Sequence, residues 1–325
     1  MLSGAPAARS IPAATQQRIL AAAELLNYQP NIFGRSLRNR RSFTIGVMVP
    51  EVSEGYATLV LSGIEERLLQ EGYFYFVISH HHRPDLIHKY QHLLLARAVE
   101  GIIAVDTPVE QRLSVPMVTV SGHHERDGIT NIVLNHKRAA ALALEHLSGL
   151  GHKQIAFIKG QEFSSDTEAR WQAIRHAAAQ NDLRVQQKLI ARLEGDSPTH
   201  EPGYFATQRL LGNGAPFSAL FAFNDTSAIG AIRALREAGL RVPQDVSVVG
   251  FDDVQSAAFQ NPGLTTVRQP LQKMGVLAAQ TVLQQIMEPA GGAHAKQLVV
   301  DPEFVVRGST CPPRLAHAGS PGGHS

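Results

Sequence analysis

The sequence is poor in cysteine, in aromatic residues and in long apolar runs. Cys311 is the single cysteine among 325 residues, so no internal disulfide can form, which is typical of a reducing compartment. No apolar run reaches the roughly 18 residues that a transmembrane helix needs. The first residues also lack the charged and apolar regions of a secretory signal. We therefore expect a cytoplasmic, nucleoid-associated protein without membrane segments.

Motifs that carry catalysis are missing as well. The sequence contains no GxGxxG after an apolar strand, no GxxxxGK[ST], no GxSxG, no HExxH and no CxxC pair. Consecutive histidines, as in 80–82 and 123–124, point to opposite faces of an extended chain and suit a metal ion poorly. We expect no cofactor, no metal and no enzymatic activity, and a Rossmann-like enzyme is kept as the least favoured hypothesis.

Charge is distributed unevenly along the chain. Residues 1–42 contain six arginines, no lysine and one acidic residue, Glu24, which gives this segment a net charge of +5. Because the whole chain carries +2, the remainder carries −3. A basic arm on a mildly acidic body indicates a polyanion-binding tip, although a solvated tail would carry the same charge pattern.

The periodicity of apolar residues predicts an N-terminal helix followed by a long α/β region. Residues 13–26 have Ile19, Ala22, Ala23 and Leu26 on one helical face, with Pro12 before the helix and Asn27 after it. From Phe43 onward, apolar strands alternate with helices, as in a parallel sheet that is covered on both faces. The predicted strands are 43–50, 74–79, 101–105, 116–121, 154–160, 188–193, 219–225 and 245–253, and the predicted helices are 55–73, 86–99, 136–151, 166–181, 203–212, 226–240 and 271–287.

This alternation predicts two successive α/β units that divide near residue 142. We expect helix 271–287 to cross back to the first unit and 296–310 to end the fold as paired strands. The tail after Cys311 is rich in proline and glycine, and we expect it to be disordered.

Four collinear segments resemble the LacI/GalR family of bacterial transcriptional regulators. They are RILAAAELLNYQPNIFGRSLR, EHLSGLGHKQIAFIKG, FNDTSAIGAIRALREAGLRVPQDVSVVGFDD and LTTVRQP. The resemblance implies an α/β fold of two Rossmann-like, periplasmic-binding-protein-like subdomains with a short helical N-terminal DNA-binding remnant. The implied divisions are a last headpiece helix at 1–29, a hinge helix at 30–41, a first subdomain at 43–142 plus 271–295, a second at 143–270 plus 296–310, and a disordered tail at 311–325.

The same resemblance implies how the N-terminal arm binds DNA. The family begins with a helix-turn-helix, and Met1 aligns just after its recognition helix, so we expect part of this motif to be missing. The residues that match the hinge helix are Asn31, Arg35, Ser36, Leu37 and Arg38. By resemblance, Leu37 is wedged between base steps of the minor groove, while Arg35, Arg38, Arg40 and Arg41 contact phosphates. Leu37 could instead pack against the body of the protein.

An effector is expected beyond the carboxyl ends of the strands, between the two subdomains. Arginine and aspartate there would bind ligand hydroxyl groups. The residues that the resemblance and the strand ends assign to this site are Tyr56, His80, Ser164, Asp166, Arg170, Ser197, Asn224, Asp225 and Asp252. Structural alternatives stay open for three of them: Asp225 as a helix N-cap, Arg170 as a surface residue and Asp252 as a residue that orders its loop.

Three positions depart from the family pattern. Gly34 replaces the usual alanine, which makes the hinge helix harder to order. Ser197 stands where an aromatic residue often stacks on the ligand, and Asn135 stands where aspartate is common. These departures predict a pocket that is less aromatic and less acidic than usual.

The resemblance thus implies a homodimeric transcriptional regulator, most simply a repressor. Its partners would be a near-palindromic double-stranded DNA operator and a small-molecule effector, by default a sugar or sugar phosphate. The alternative is a solute-binding protein of the periplasmic type, which has the same two-lobed fold but does not need the arginine-rich segment at 27–41.

Overall fold

The N-terminal helix has the predicted limits but little tertiary packing. The computed structural model describes residues 11–28, 41–53, 55–110, 112–122, 126–288 and 295–314. Helix α1 (Ala13–Leu25) follows Pro12, and Asn27 takes the left-handed conformation with φ of 47°. Of the four residues on the predicted apolar face only Ala23 is buried, so that face is not packed against the body of this chain.

The first lobe is built on a parallel sheet, as the apolar strands predict. Its strand order is β11-β5-β4-β3-β1-β2. The strands are β1 (Thr44–Val49), β2 (Phe74–Ser79), β3 (Gly101–Val105), β4 (Met117–Val120), β5 (Ile129–Leu134) and β11 (Gln297–Val300). The central strands are buried throughout, whereas edge strand β2 is largely exposed. Helices α2 (Tyr56–Gln70) and α3 (Pro84–Ala96) connect the first three strands.

The second lobe repeats this arrangement, with strand order β12-β10-β9-β8-β6-β7. Its strands are β6 (Ile155–Lys159), β7 (Ile190–Arg192), β8 (Ala219–Phe221), β9 (Ser247–Asp252), β10 (Thr265–Arg268) and the antiparallel edge strand β12 (Glu303–Val305). Its helices are α4 (His136–Gly149), α5 (Asp166–Gln180), α6 (Glu201–Gly212), α7 (Asp225–Glu237) and the short α8 (Gln255–Ala258). Two strands, β5 and β10, are absent from the sequence-based prediction.

The chain crosses between the lobes at three places. Helix α4 leaves β5 of the first lobe and packs against α5 of the second. Helix α9 (Leu271–Met287) returns to the first lobe, as predicted, and packs against α2. The approach is close enough that a Cβ atom at Gly63 would lie 1.9 Å from the Gln272 carbonyl oxygen.

The third crossing lies between β11 and β12. The prediction that residues 296–310 form strands paired with each other is wrong. Strand β11 pairs with β5 in the first lobe, and β12 pairs with β10 in the second. The two strands therefore belong to different sheets, and the chain between them passes from one lobe to the other. Asn135, which caps α4, donates a 2.9 Å hydrogen bond to Asp301 and so joins the first crossing to the third.

Candidate functional site

A cavity of about 140 Å³ lies between the lobes, at the carboxyl ends of strands from both sheets. The first lobe contributes Glu51 after β1 and Asp106 after β3. The second contributes Phe223 and Asn224 after β8, and Asp252 at the end of β9. In parallel sheets this edge collects the polar side chains that follow each apolar strand. The site is therefore open to ligands that contact both lobes at once.

Arg170 and Asp166 form a buried ion pair on one wall of the cavity. Both project from α5, one turn apart, and Arg170 Nη2 lies 2.8 Å from Asp166 Oδ2. Arg170 is only 3% exposed, so the alternative of a surface arginine is wrong. Its guanidinium carbon lies 3.7 Å from the ring centre of Phe251 and 4.4 Å from that of Phe223. Stacking on two aromatic faces fixes the plane of the guanidinium group.

Asp252 is a second buried carboxyl group in the cavity wall. Gln269 Nε2 donates a 2.6 Å hydrogen bond to its Oδ1, and the backbone of Asp252 has a φ of 108°. Burial, only partly offset by the nearby Arg170, raises the pKa of Asp252 to about 7. The residue therefore both orders the strand end, through Gln269, and presents a carboxyl group that titrates near neutral pH.

Asp106 joins the two lobes. It follows β3 of the first lobe and accepts hydrogen bonds from Ser164 Oγ at 3.3 Å, from Ser165 Oγ at 2.8 Å and from Ser165 N at 3.2 Å. Burial and the neighbouring Asp166 raise the pKa of Asp106 to about 6. The sequence prediction missed this residue, although an aspartate after an apolar strand is the same signal that identified Asp252.

An aromatic contact also spans the gap between the lobes. The rings of His82, from the first lobe, and Phe163, from the second, are stacked with their centres 3.7 Å apart. Both residues line the cavity. Burial lowers the pKa of His82, which favours the neutral imidazole. Neither residue was predicted, because a histidine in a loop and an isolated phenylalanine carry no positional signal in the sequence.

Seven of the nine predicted effector residues line the cavity: Tyr56, Ser164, Asp166, Arg170, Ser197, Asn224 and Asp252. Tyr56 donates a 2.7 Å hydrogen bond from its hydroxyl group to Ser121 Oγ. Asn224 caps α7 by accepting a hydrogen bond from Ser227 N at 2.9 Å. The N-cap is therefore Asn224, and not Asp225 as the structural alternative had it.

The other two predicted residues, Asp225 and His80, do not reach the cavity wall. Asp225 is fully buried and accepts hydrogen bonds from Thr266 Oγ1 at 2.6 Å and from Val254 N at 2.9 Å. A Cβ atom at Gly250 would lie 2.1 Å from Asp225 Oδ1, so a glycine is needed there. Asp225 thus connects α7 to β9 and β10, and its role here is structural.

His80 is fully buried and bonded within the first lobe. Its Nε2 lies 2.9 Å from Thr107 Oγ1, and burial lowers the pKa of His80 to about 4. The imidazole is therefore neutral at physiological pH and turned away from the cavity.

Acidic and aromatic side chains both line the cavity. Asn135 lies at the crossing between the lobes rather than in the cavity, and Ser197 lines it without an aromatic ring. Five acidic residues nevertheless line the described walls: Glu51, Asp106, Asp166, Asp196 and Asp252. Aromatic rings come from Phe163, Phe223 and Tyr56. The prediction of a pocket less acidic and less aromatic than is usual in the family stays a prediction, since it compares this wall with those of relatives.

The predicted DNA-binding residues Asn31, Arg35, Ser36, Leu37 and Arg38 lie outside the described residues, as does Arg40. Arg41 is described, and its guanidinium group lies 2.9 Å from Glu100 Oε2 and over the ring of Phe43. This pairing joins the end of the basic segment to the first lobe, and the expected contact of Arg41 with phosphate stays a prediction. In the part of the chain that the structure describes, no helix is long and apolar enough to cross a bilayer.

Comparison with known proteins places this architecture in a family. Residues 144–310 match the model of the periplasmic binding protein-like domain. The chain is 31% identical over 306 residues to the probable HTH-type transcriptional repressor ExuR of Bacillus subtilis, an alignment that covers 91% of this chain and 89% of that protein. The chain belongs to the LacI family of transcriptional regulators, whose members are regulators and not enzymes.

Solved structures of the same family superpose over most of the chain. One is the Lac repressor dimer bound to operator and the anti-inducer ONPF, with a TM-score of 0.80, 27% identity and coverage of 93% of this chain and 91% of that one. Another is a LacI family regulator from Enterococcus faecium with bound ribose, with a TM-score of 0.73, 25% identity and coverage of 83% and 100%. The two-lobed fold is therefore shared with these regulators.

The raised pKa of Asp252 predicts how stability depends on pH. An unfolded aspartate ionises near pH 4, so between pH 4 and about 7 the folded chain binds more protons than the unfolded chain. The free energy of unfolding then falls as pH rises, by on the order of 1 kcal/mol per pH unit for one such group. Asp252→Asn removes this contribution, so its melting temperature should rise relative to wild type more at pH 8 than at pH 5.

The measurement is thermal unfolding followed by circular dichroism at both pH values. Asp182→Asn, an exposed aspartate after α5, is the control and should follow wild type at each pH. An equal difference between Asp252→Asn and wild type at pH 5 and pH 8 would contradict the assignment of the raised pKa to Asp252.

Proposed function

We propose that this chain is a DNA-binding transcriptional repressor whose affinity for a near-palindromic operator is controlled by a small-molecule effector. The observation that carries the proposal is the polar cavity between the lobes, with the Arg170–Asp166 pair buried in its wall. A cavity whose walls belong to two lobes lets a ligand favour one arrangement of the lobes over another. Regulation follows when that arrangement also determines DNA affinity.

The effector we propose is a sugar or a sugar derivative. Carboxylates accept hydrogen bonds from neighbouring hydroxyl groups, while a guanidinium group is a planar donor. Asp166, Arg170 and Asp252 supply both kinds of group on the second lobe. Aromatic rings, such as that of Phe223, offer flat apolar surfaces to the carbon faces of a sugar. The ribose in the E. faecium relative supports this class of ligand.

The DNA contacts are assigned to the arginine-rich segment before the first lobe. By resemblance Asn31, Arg35, Ser36, Leu37 and Arg38 form the hinge that enters the minor groove, where Leu37 separates base steps. Support comes from Arg41, whose ion pair with Glu100 holds the end of this segment against the first lobe. A movement of the first lobe would therefore also move the end of the arginine-rich segment.

Signal transmission is assigned to the contacts that bridge the cavity. Asp106 bonds to Ser164 and Ser165, and His82 stacks on Phe163, so the lobes meet through a few polar and aromatic contacts. A ligand in the cavity competes with these contacts or reinforces them. A differential affinity of about 1–3 kcal/mol for the two arrangements is enough to change DNA affinity by roughly 5–150-fold.

We also propose that the chain forms a homodimer through the exposed edge of the first lobe. Strand β2 is an edge strand with its aromatic residues in solvent, and Phe74 and Phe76 contact each other at 5.3 Å between ring centres. Exposed apolar residues on β2 and the adjacent helices extend this surface: Leu69, Phe74, Phe76, Val77 and Leu93. Exposed apolar residues concentrated at one sheet edge are typical of a protein interface. The dimer of the Lac repressor supports a second copy as the partner.

Replacing Arg170 tests the effector site. Arg170→Ala removes charged hydrogen bonds worth about 1.5–3 kcal/mol in total, so the affinity for a sugar should fall by roughly 10–100-fold. A thermal-shift screen of a sugar panel identifies the ligand, since a ligand at 100 times its Kd stabilises by about 2.7 kcal/mol. Isothermal titration calorimetry then compares the variant with wild type.

The matched control for Arg170 is Arg175→Ala, which changes an exposed arginine on the same helix that does not line this cavity. It should bind the ligand as wild type does. Unchanged affinity in Arg170→Ala, with the circular dichroism spectrum of the folded chain, would refute the proposed site.

Replacing Phe74 tests the dimer. Phe74→Glu places a charge in the centre of the apolar edge, where burial without a partner is unfavourable. Sedimentation velocity should show a dimer for wild type and a dissociation constant at least tenfold higher for the variant. Phe205→Glu changes an exposed phenylalanine on α6 of the second lobe and should leave the dimer intact. A dimer that tolerates Phe74→Glu but not Phe205→Glu would place the interface elsewhere.

A further inference from the structure

The charges on the cavity walls indicate the sign of the charge that the effector carries. This inference rests on the proposed function. In the described walls, five carboxylic acids face a single guanidinium group, that of Arg170. The remaining basic side chain there, His82, is neutral in its stacked, partly buried position. The cavity therefore carries an excess of negative charge.

Arg170 offsets this excess only in part, because one guanidinium group lies among several carboxyl groups and its direct ion pair is with Asp166. It binds Asp166, donates to the Phe223 carbonyl oxygen and lies against two aromatic rings. Asp106 receives hydrogen bonds from Ser164 and Ser165, and Asp252 receives one from Gln269. These donors are neutral. Two buried carboxyl groups thus lack a cationic partner among the described residues that bond to them.

A buried carboxylate without a cation is unfavourable, and the protein responds by favouring protonation. Asp252 has its pKa raised to about 7 and Asp106 to about 6, in both cases mainly by burial. A positively charged ligand would restore ionisation of both groups, whereas a carboxylate or a phosphate would add repulsion. A cationic ligand would therefore neutralise the excess negative charge of the cavity wall.

Aromatic rings in the cavity wall indicate what else the ligand carries. The rings of Phe163 and Phe223 line the cavity, and aromatic faces attract cations in addition to apolar carbon. A ligand with a carbon ring and a positive charge therefore matches both features of the wall.

We propose that the effector is a polyhydroxylated amine of the amino-sugar class, with its ammonium group beside Asp106 and Asp252. Sugar acids and sugar phosphates, which share the hydroxyl groups but carry negative charge, are excluded by the same walls. The default of a sugar phosphate from the sequence resemblance is thereby replaced. A neutral sugar fits the hydrogen-bonding groups but leaves the two carboxyl groups unbalanced.

The test compares sugars that share one ring configuration and differ in a single substituent that is neutral, positively charged or negatively charged. Isothermal titration calorimetry of the full chain at pH 7.5 uses the gluco, galacto and manno series, each as the neutral hexose, the 2-amino-2-deoxy hexose, the uronate and the 6-phosphate. In the series that binds, the amino sugar should bind at least tenfold tighter than the neutral hexose, and the two anions should bind more weakly than both. A neutral or anionic sugar that binds as tightly as the amino sugar overturns this inference and leaves the proposed sugar effector standing. If no sugar binds, both fail.

A second arm uses the isosteric variant Asp252→Asn. Removal of one carboxylate should lower the preference for the amino sugar over the neutral hexose by about tenfold, and this ratio of the two affinities is the quantity compared between the variant and wild type. Asp182→Asn, which changes an exposed aspartate away from the cavity, should keep the wild-type preference. A preference that is the same in Asp252→Asn and wild type would overturn the assignment of the ammonium site.

Discussion

A buried guanidinium group organises the wall of the cavity that the second lobe contributes. Arg170 neutralises Asp166, bonds to the backbone after β8 and stacks on Phe251 of β9, so a single side chain connects α5 with two strand ends. A buried charge is stabilised by partners that compensate its desolvation, here a carboxylate, a carbonyl oxygen and two aromatic rings. These contacts hold the guanidinium group of this wall in one orientation.

The contacts across the cavity differ in kind from the contacts inside each lobe. Each lobe has a buried apolar sheet, whereas across the cavity the lobes meet through the Asp106 hydrogen bonds and the His82–Phe163 stack. Contacts of these kinds contribute about 1 kcal/mol each. Three chain crossings and an apolar cluster with residues from both lobes keep the lobes together, and the contacts across the cavity add to these. A molecule bound in the cavity competes directly with the contacts across it.

Most of the alternation of strands and helices, and part of the candidate site, could be predicted from the sequence. Buried parallel strands such as 101–105 are continuous apolar runs and were predicted, whereas β5 (ITNIVL) and β10 (TTVR) contain polar residues and were missed. Asp252 and Asp225 both follow apolar strands, but only the first lines the cavity. Position at a strand end does not determine which way a side chain points, because hydrogen bonds to distant residues such as Thr266 decide it. The pairing of β11 with one sheet and β12 with the other also depends on contacts between distant parts of the chain, so a local sequence pattern does not predict it.

The central claim is that occupancy of the cavity changes the arrangement of the lobes. The direct measurement is the distance between two spin labels, one at Gln70 at the end of α2 and one at Gln180 at the end of α5, both exposed and on different lobes, with Cys311 replaced by serine. The account predicts that a saturating ligand shifts and narrows the distance distribution, and that Arg170→Ala prevents the shift. An identical distribution with and without a ligand that calorimetry shows to be bound would contradict it.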